Sequence, residues 1–576
     1  MAKRIILAFF IGATTLPNFF TAQNLYFIGK VGGGGTDQGN GIVSDKFNNS
    51  YTIGTFEGTV DFDPSANTSI LTSNGGTDIF VLKLNFNGGF VWAKTFGGIN
   101  NDEGTSIALD STGNIYFTGS FKDSVDFDPG SGVYNLASVG FEDIYVCKLN
   151  PQGNLIWAKT IGSADTDAST AITLSDSGYV YLTGYFNDPA DFDPNTGTTT
   201  LTPSGINDAF VCKLDTSGNF NWAKNIGGTF STRAKSIQVD NVGAIYLVGQ
   251  FDFTTDFDPS PASSYSITSW GQTDAFVVKL DASGNLIWAK KLGGLSGEAA
   301  TALALSPTFN HVYIAGYFSG SADFDPSSSN FTLTSNGSRD IFICQLDSSG
   351  NFNWANQIGG TSVSYFDEPY GICANSTGAY FTGKIGGGGA IDFDPSNATY
   401  LLTPIGNYDI FVCKLNTNGS FGGAYNVGGT APITKKGNAI TLDSWGNILT
   451  TGAFAGTVDF DPGSSSNNLV ASGPTDCFIH SVTQSALSIN DIERQNQAFL
   501  LFPNPANGFI QLVIPQEYSA DEVVVVNALG TTLLSYSINQ NESTIQINIT
   551  SISDNLSFVQ LKNKGVTLAT QKLVIY

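Results

Sequence analysis

The sequence predicts an all-β protein whose main part is a seven-bladed β-propeller with four-stranded blades. Asp-Phe-Asp-Pro occurs seven times, beginning at Asp61, Asp126, Asp191, Asp256, Asp323, Asp392 and Asp459. The steps between copies are 65, 65, 65, 67, 69 and 67 residues, and a nearly fixed period indicates one supersecondary unit used repeatedly. Gly is 66 of 576 residues and charged residues are only 13%, which is typical of an all-β protein with many tight turns.

The first 22 residues are predicted to be a secretory signal peptide. Lys3 and Arg4 form a charged start, residues 5–16 are apolar, and Ala22 is the candidate last residue before cleavage. The apolar stretch is shorter than the roughly 20 residues that cross a bilayer. Because no run of about 18 apolar residues occurs elsewhere, we expect an exported protein with no integral membrane segment.

The second copy shows how one unit is built. Residues 105–110 (TSIALD), 115–121 (IYFTGSF), 143–149 (DIYVCKL) and 155–161 (LIWAKTI) read as strands separated by turn signals. The long loop between the second and third strands carries Asp-Phe-Asp-Pro. Four antiparallel strands in sequence order predict a propeller blade.

The strand tally predicts how the ring closes. Seven third strands are present, but only six are followed by a fourth strand. Residues 24–31 (NLYFIGKV), followed by Gly32 and Gly33, match the fourth strands and their Gly-Gly tails. We therefore expect this N-terminal strand to complete the seventh blade, which removes the exposed sheet edges.

The pattern "GNIYFTGSF…DIYVCKLNPQGNLIWAKTIG" resembles the SBBP-type β-propeller repeat of secreted bacterial proteins. The resemblance covers residues 24 to about 484, so the propeller is assigned to residues 23–484. It implies a propeller fold and an extracellular setting, and it carries no agreed activity.

The C-terminal part lacks the repeat. Residues 485–498 are polar and are assigned as a linker, and residues 499–576 open with "FLLFPNPANGFIQLVI" and end with "KLVIY". This section resembles the C-terminal sorting domain of the type IX secretion system. The resemblance implies a small Ig-like β-sandwich recognised by the outer-membrane translocon. It also implies passage through the periplasm, with secretion or display on the outer cell surface.

The two carboxylates of each Asp-Phe-Asp-Pro are candidate Ca²⁺ ligands. Residues two apart in an extended segment face the same side, and Ca²⁺ is bound by oxygen ligands. In such a segment the intervening Phe would point the opposite way, into the blade. The other interpretation, which we favour, is a turn in which the Asp side chains accept hydrogen bonds from backbone N–H groups. The candidates are Asp61, Asp63, Asp126, Asp128, Asp191, Asp193, Asp256, Asp258, Asp323, Asp325, Asp392, Asp394, Asp459 and Asp461.

Composition and motifs narrow the class of function. The formal net charge of −24 disfavours nucleic acid as a partner. Phosphate loops, Gly-x-Ser-x-Gly and His-Glu-x-x-His are absent from the sequence. No catalytic residue is assigned, and Ca²⁺ is the one cofactor considered. Cys147, Cys212, Cys344 and Cys413 occupy one slot in four copies and are predicted to be small buried hydrophobes.

Function is expected on the face that carries the long loops, around the central channel, because rigid scaffolds usually carry function on loops. The first hypothesis is a secreted or surface-displayed module that recognises a glycan or a protein. The alternative is an extracellular polysaccharide hydrolase or lyase that uses carboxylates in the channel. A structural surface-layer component is the third hypothesis.

Overall fold

The computed structural model describes residues 24–432, 435–463 and 465–483. It also describes residues 500–575 except for 503–507, 515–519, 528–530, 539–543, 553–555 and 565. The predicted signal peptide (1–22) and linker (485–498) lie outside these residues. The all-β prediction is confirmed, because the described residues contain strands and turns and no helix. The chain divides into two compact units, 1–484 and 485–576, which are described separately.

The first unit contains seven sets of four antiparallel strands, paired in the order first, second, third and fourth. Set 1 consists of β2 (Gln38–Ser44), β3 (Ser50–Asp61), β4 (Ile70–Leu84) and β5 (Phe90–Phe96), and set 2 of β6 (Glu103–Leu109), β7 (Ile115–Phe121), β10 (Asp143–Leu149) and β11 (Leu155–Ile161). Set 3 consists of β12 (Asp167–Leu174), β13 (Tyr179–Phe186), β16 (Asp208–Asp215) and β17 (Phe220–Gly228). Set 4 consists of β18 (Thr232–Val239), β19 (Ile245–Asp256), β20 (Ser266–Leu280) and β21 (Leu286–Gly294).

Sets 5 to 7 follow the same order. Set 5 consists of β22 (Ala299–Leu305), β23 (His311–Phe318), β26 (Asp340–Asp347) and β27 (Phe352–Ile358). Set 6 consists of β28 (Glu368–Asn375), β29 (Gly378–Gly386), β32 (Tyr408–Asn416) and β33 (Phe421–Val427). Set 7 consists of β34 (Lys436–Leu442), β35 (Ile448–Phe454), β38 (Asp476–Thr483) and β1 (Asn24–Gly33). The fourth strand of set 7 is thus the N-terminal strand, as the strand tally predicts. It runs antiparallel to β38 from Asn24 opposite Thr483 to Val31 opposite Cys477.

The residues just before each Asp-Phe-Asp-Pro loop pair with residues just after it, and the two segments form a short two-stranded ribbon. In sets 1 and 4 the ribbon is an extension of the second and third strands, so that Asp61 pairs with Ile70 and Asp256 with Ser266. In the other sets it is separate: β8 (Ser124–Asp126) with β9 (Asn135–Ala137), β14 (Ala190–Asp191) with β15 (Thr200–Leu201), β24 (Ser321–Asp323) with β25 (Thr332–Thr334), β30 (Ile391–Asp392) with β31 (Leu401–Leu402), and β36 (Thr457–Asp459) with β37 (Asn468–Val470).

Hydrophobic clusters lie between neighbouring sets. One cluster joins Tyr51 and Ile53 of set 1 to Phe117 and Tyr145 of set 2, so each set buries both faces against its neighbours. The first strands of consecutive sets contact one another, and β34 of set 7 contacts β2 of set 1. This arrangement orders the seven sets in a circular sequence of neighbours.

The recurring tryptophans of the fourth strands also join neighbouring sets. The indole N–H groups of Trp157, Trp288 and Trp354 donate to backbone carbonyls of the next set at 3.1–3.3 Å. Cysteine packing follows the prediction. The six cysteines are free, and Cys147, Cys212, Cys344 and Cys413 are buried.

The second unit contains two sheets. β39 (Leu500–Phe502), β40 (Phe509–Val513) and β43 (Thr544–Asn548) form one. β42 (Thr532–Ser537), β41 (Glu522–Asn527), β44 (Leu556–Asn563) and β45 (Val566–Val574) form the other. A single hydrophobic cluster draws residues from both, including Ile510, Ile547, Val523 and Val559. Across the part of the chain that the structure describes, no helix is long and apolar enough to cross a membrane.

Candidate functional site

The first Asp of each Asp-Phe-Asp-Pro organises its own loop. Asp61 Oδ1 accepts the N–H of Asp63 at 3.1 Å and that of Ser69 at 2.8 Å, and Asp63 Oδ1 accepts the N–H of Ser65 at 2.9 Å. The same bonds recur in the other six copies at 2.7–3.1 Å. This geometry is the turn that the sequence favoured.

The Phe between the two carboxylates is buried, as predicted. Phe62 is fully inaccessible and meets Phe56 and Phe80 with ring centroids 5.2 and 5.3 Å apart. The first Asp also joins neighbouring sets, because it pairs with the first Gly of the preceding set's tail, as Gly97 does with Asp126. The Asp-Phe-Asp-Pro motif therefore connects neighbouring sets.

The structure places the fourteen candidate calcium ligands in seven separate loops and does not bring the pairs of different sets together. Among the described residues, no group of three or more His, Cys, Asp or Glu side chains could hold a metal ion. Calcium binding stays a prediction, because loop carbonyls could complete an oxygen shell.

Titration calorimetry with Ca²⁺ on the purified protein separates the two interpretations. The turn interpretation predicts no binding heat at millimolar Ca²⁺, because the carboxylate oxygens already accept backbone N–H groups. The calcium interpretation predicts seven equivalent sites. Titration with Mg²⁺ under the same conditions controls for unspecific ion effects.

A second carboxylate recurs at the start of each third strand and is buried. Asp78 is 1% exposed, its Oδ2 accepts the N–H of Asn74 at 2.9 Å, and its Oδ1 has no hydrogen-bond partner. It lies against Gly97, the first Gly of the same set's tail, where an added Cβ would be 2.1 Å from Asp78 Cγ. The equivalent residues are Asp143, Asp208, Asp274, Asp340, Asp409 and Asp476.

A third series of carboxylates connects neighbouring sets just before the first strand. Asp102 accepts the N–H of Gly98 from the preceding set's tail at 2.7 Å and that of Lys122 from its own second strand at 3.0 Å. Asp37, Asp167, Glu298 and Asp367 occupy the same position and are buried. Set 4 has Thr232 and set 7 has Lys435 in this position.

Burial raises the pKa values of many of these carboxyls. The pKa rises to about 7 for Asp78, Asp167, Glu298 and Asp367, and to about 6 for Asp37, Asp102 and Asp274. Removal from water is the largest cause in each case, and backbone hydrogen bonds oppose it.

We expect the first unit to lose stability as the pH rises from 5 to 8. The folded protein holds protons on these carboxyls up to pH 6–7, whereas the unfolded chain releases them near pH 4. Folding therefore takes up protons in this window, and the free energy of unfolding falls as pH rises. Calorimetric melting at pH 5 and pH 8 measures the change.

Asp78→Asn is the matched variant for this prediction, because it keeps the shape and the acceptor for Asn74 N–H while removing the titration. It should narrow the difference in melting temperature between pH 5 and pH 8. A melting temperature that rises with pH in the wild-type protein would contradict the assignment.

One residue of each first strand is turned out of the sheet by a β-bulge. In set 2, Gly104 pairs with Gly119 and Ser106 with Thr118, which leaves Thr105 in the bulge. A Cβ on Gly119 would lie 1.8 Å from the Glu103 carbonyl oxygen. A Gly recurs at this position of the second strands, and its lack of a side chain leaves room for the bulge.

Five of the seven bulge residues link the first strands of consecutive sets. Asn40, Thr105, Thr170, Thr301 and Asn438 each donate to a backbone carbonyl of the next set's first strand at 2.8–3.0 Å. The bond from Asn438 to the Gly39 carbonyl joins set 7 to set 1. In the bulges of sets 4 and 6, Lys235 and Tyr370 replace these short donors.

We call the bulge residues and the residues two before them the inner rim. Its members are Gln38, Asn40, Glu103, Thr105, Ala168, Thr170, Arg233, Lys235, Ala299, Thr301, Glu368, Tyr370, Lys436 and Asn438. These residues lie in the first halves of their strands, next to the loops that carry Asp-Phe-Asp-Pro. The rim thus belongs to the long-loop face, where the sequence placed function.

Glu368 is the centre of a charged and aromatic cluster on this rim. Its carboxylate forms ion pairs with Arg339 and, at 2.9 Å, with Lys384, and it accepts the hydroxyl of Tyr370 at 2.6 Å. Burial raises its pKa, but the hydrogen bonds from Tyr370 and Lys384 and the charge of Lys384 outweigh burial, so the pKa is lowered overall. Glu368 is therefore an anion at neutral pH.

Aromatic rings surround the cations of this cluster. The Arg339 guanidinium lies 4.1 Å from the centre of the Tyr317 ring and 4.8 Å from that of Phe366, and Lys384 Nζ lies 4.9 Å from the centre of the Tyr408 ring. Phe366 is 38% exposed. Sets 5 and 6 thus bring together exposed ring surface and fixed charges, the combination that polar ligands with apolar faces require.

The rim of sets 2, 4 and 7 carries further charges. Arg233 stacks on Tyr185 at 4.6 Å, and Lys235 and Lys436 occupy rim positions without a hydrogen bond or ion pair among the described residues. Glu103 interacts electrostatically with both lysines, although they lie in different sets. Burial is the largest cause that raises the pKa of Glu103.

Sequence reasoning missed this cluster. The seven Asp-Phe-Asp-Pro loops are chemically alike, and none of them indicates this cluster. The signal lies in the first strands, where Pro369 and Tyr370 of set 6 replace the small residues Gly104 and Thr105 of set 2. The two-residue insertion at 386–389 in the same set was a second signal.

Neither histidine belongs to the site. His480 is 1% exposed and lies against Tyr425 and Phe460, and burial lowers its pKa to about 4. It is therefore neutral at physiological pH and packs in the core.

Comparison with known families supports both resemblances stated from the sequence. Residues 91–120 match the model of the β-propeller repeat SBBP, and residues 500–576 match the model of the secretion system C-terminal sorting domain. The second match indicates interaction with the type IX secretion machinery and export to the cell surface or the medium. The predicted localisation is thereby confirmed.

The relatives with known sequences are distant. An uncharacterized WD repeat-containing protein of Acanthamoeba polyphaga mimivirus is 22% identical over 542 residues, which covers 81% of this chain and 38% of that protein. The regulatory protein FlaEY of Caulobacter vibrioides is 27% identical over 145 residues, covering 25% of this chain and 15% of that protein. The chain spans less than two fifths of the length of either relative.

Solved structures with similar folds include Sqt1 from Chaetomium thermophilum and the Dos1 propeller. They are 10% and 9% identical to this chain, cover 81% and 80% of it and match over 100% and 95% of their own lengths. Both TM-scores are 0.36.

Proposed function

We propose that the protein is an exported seven-bladed β-propeller that recognises an extracellular glycan at the inner rim. In this proposal the propeller spans residues 23–484 and is joined by the linker 485–498 to an Ig-like sorting domain at 499–576. The seven four-stranded sets are its blades. Support for a closed ring comes from the contact between β34 and β2, the bond from Asn438 to Gly39, and the pairing of β1 with β38.

The proposal rests on two bulge positions of the inner rim at which the repeated residue type changes. Five bulges hold short donors that bond to the next set, whereas Tyr370 and Lys235 are large and chemically distinct. Substitution of a structural donor by an aromatic or charged side chain weakens the inter-set bonding at that point and supplies binding chemistry instead. Pockets that take small ligands combine aromatic walls with a few polar groups in this way.

A glycan array probed with the purified protein tests the proposal. We expect binding that is reduced at least tenfold by Tyr370→Ala. The matched control is Tyr134→Ala, which removes an exposed aromatic ring from the outer loop of set 2. Equal loss in both variants, or glycan binding that neither variant changes, would contradict the placement at the rim. If the rim binds a protein and no glycan, the function is protein recognition and not glycan recognition.

The hydrolase alternative rests on Glu103. Acid–base pairs of carboxyls have pKa values that their surroundings push apart, and the pKa of Glu103 is raised whereas that of Glu368 is lowered. Release of reducing ends from a bound polysaccharide, abolished by Glu103→Gln, would establish this activity. Binding without release would leave recognition as the function.

A further inference from the structure

Three cations on the inner rim lack a counter-ion. Among the charged groups near the rim that the structure describes, Lys122 pairs with Glu142 at 3.3 Å, and Arg339 and Lys384 share Glu368. Arg233, Lys235 and Lys436 form no ion pair with any described carboxylate. Glu103 acts electrostatically on Lys235 and Lys436, and Glu368 acts on Lys436, but neither carboxylate forms an ion pair with these lysines.

These cations are also crowded. The pKa of Lys436 is lowered by burial and then by the charge of Lys384, and the pKa of Lys235 by burial and then by Arg233. Half-buried like charges without counter-ions destabilise the folded protein. Such an arrangement is expected where a bound anion completes the electrostatics.

The rest of the protein has the opposite sign. The chain carries 49 acidic and 25 basic residues, so an inner rim with three basic side chains (Arg233, Lys235 and Lys436) against two carboxylates (Glu103 and Glu368) departs from the general composition. Charges separated by more than about 10 Å are screened at physiological salt. The local excess of cations therefore decides what binds at the rim, and the overall negative charge disfavours a bulky polyanion such as a nucleic acid duplex.

We propose that the inner rim binds an anionic glycan, with Arg233, Lys235 and Lys436 receiving its acidic groups and the rings of Tyr185, Tyr317 and Tyr370 contacting its sugar faces. This inference rests on the proposed glycan recognition and adds the chemical class of the ligand. Guanidinium groups bind carboxylates and sulfates through paired hydrogen bonds. Tyrosine supplies an apolar face beside a polar hydroxyl, as a sugar ring requires.

The test is titration calorimetry of the purified protein with three oligosaccharides of equal length: oligogalacturonate, sulfated dextran oligomers and unmodified dextran oligomers. We expect binding to an anionic oligosaccharide and none to dextran, with affinity that falls as salt rises. The carboxylated and sulfated ligands distinguish the two sources of anionic charge. Lys235→Gln with Lys436→Gln should weaken binding at least tenfold.

A matched double variant, Lys46→Gln with Lys159→Gln, makes the same change in net charge away from the rim and should bind as the wild type does. The melting temperature of the rim variant controls for misfolding. Removing unpaired, half-buried cations should leave the melting temperature unchanged or raise it. Tight binding of neutral glycans that the rim lysine variant retains would overturn the anionic inference and leave glycan recognition standing. Binding to no glycan on the array or in solution would overturn both.

Discussion

Gly227→Ala is expected to destabilise the first unit by at least about 3 kcal/mol. An added Cβ would lie 1.8 Å from Cγ of Asp208 and 2.0 Å from both its carboxylate oxygens. Asp208 is fully buried and is held by the N–H of Ser204 at 2.9 Å and the side-chain amide of Asn225 at 3.0 Å, so it has nowhere to move. Gly227 also pairs with Asp256 of set 4, and its displacement would separate two sets.

Urea unfolding followed by tryptophan fluorescence measures this effect. Gly297→Ala is the matched control, because a Cβ there has no atom within 4 Å, and its stability should change by less than about 0.5 kcal/mol. Asp208→Ala added to Gly227→Ala should recover part of the loss by vacating the space. Equal stability of the two single Gly variants would contradict the close contact between Gly227, in the tail of the fourth strand, and Asp208 in the third strand.

Glu368→Gln is expected to destabilise the protein by about 2 kcal/mol at pH 7. The change keeps the side-chain volume but leaves Arg339 and Lys384 without their shared anion, and Lys384 and Glu368 are largely buried, with side chains 14% and 9% exposed. Breaking a fully buried pair costs about 3–5 kcal/mol, and solvent near the half-exposed Arg339 reduces that figure.

A double-mutant cycle isolates the interaction. Arg339→Gln alone should also destabilise, and the double variant should lose less than the sum of the two single variants. Purely additive losses would contradict an ion pair between Arg339 and Glu368. The single Glu368→Gln variant should also bind anionic glycans more tightly at low salt, because it frees two cations on the rim.

The architecture was predictable because its signals are local. Alternating strands, turn residues and the repeated Asp-Phe-Asp-Pro each lie within a few residues of one another, and the structure pairs them as expected. The N-terminal strand was predictable for another reason: its Gly32-Gly33 tail matches the Gly-Gly tail of five of the other six fourth strands. Counting strands then left one position for it.

The candidate site was not predictable in the same way. Arg339, Glu368 and Lys384 belong to two sets and meet only once the sets are side by side. The most repeated motif directed attention to Asp61 and its equivalents, whose carboxylates serve their own turns. In a repeat protein the conspicuous pattern specifies the scaffold, and positions that depart from it, such as Tyr370, indicate the site.

The account depends on a ring that the N-terminal strand closes, because only a closed ring assembles the inner rim. Val31 lies directly opposite Cys477, and both are buried. Val31→Cys therefore places two thiols across the closure at antiparallel-pair distance. After mild oxidation, peptide mapping should find a 31–477 disulfide within one chain, and the melting temperature should exceed that of the reduced variant. A thiol at position 31 that stays free, or that links different chains, would contradict the closed ring.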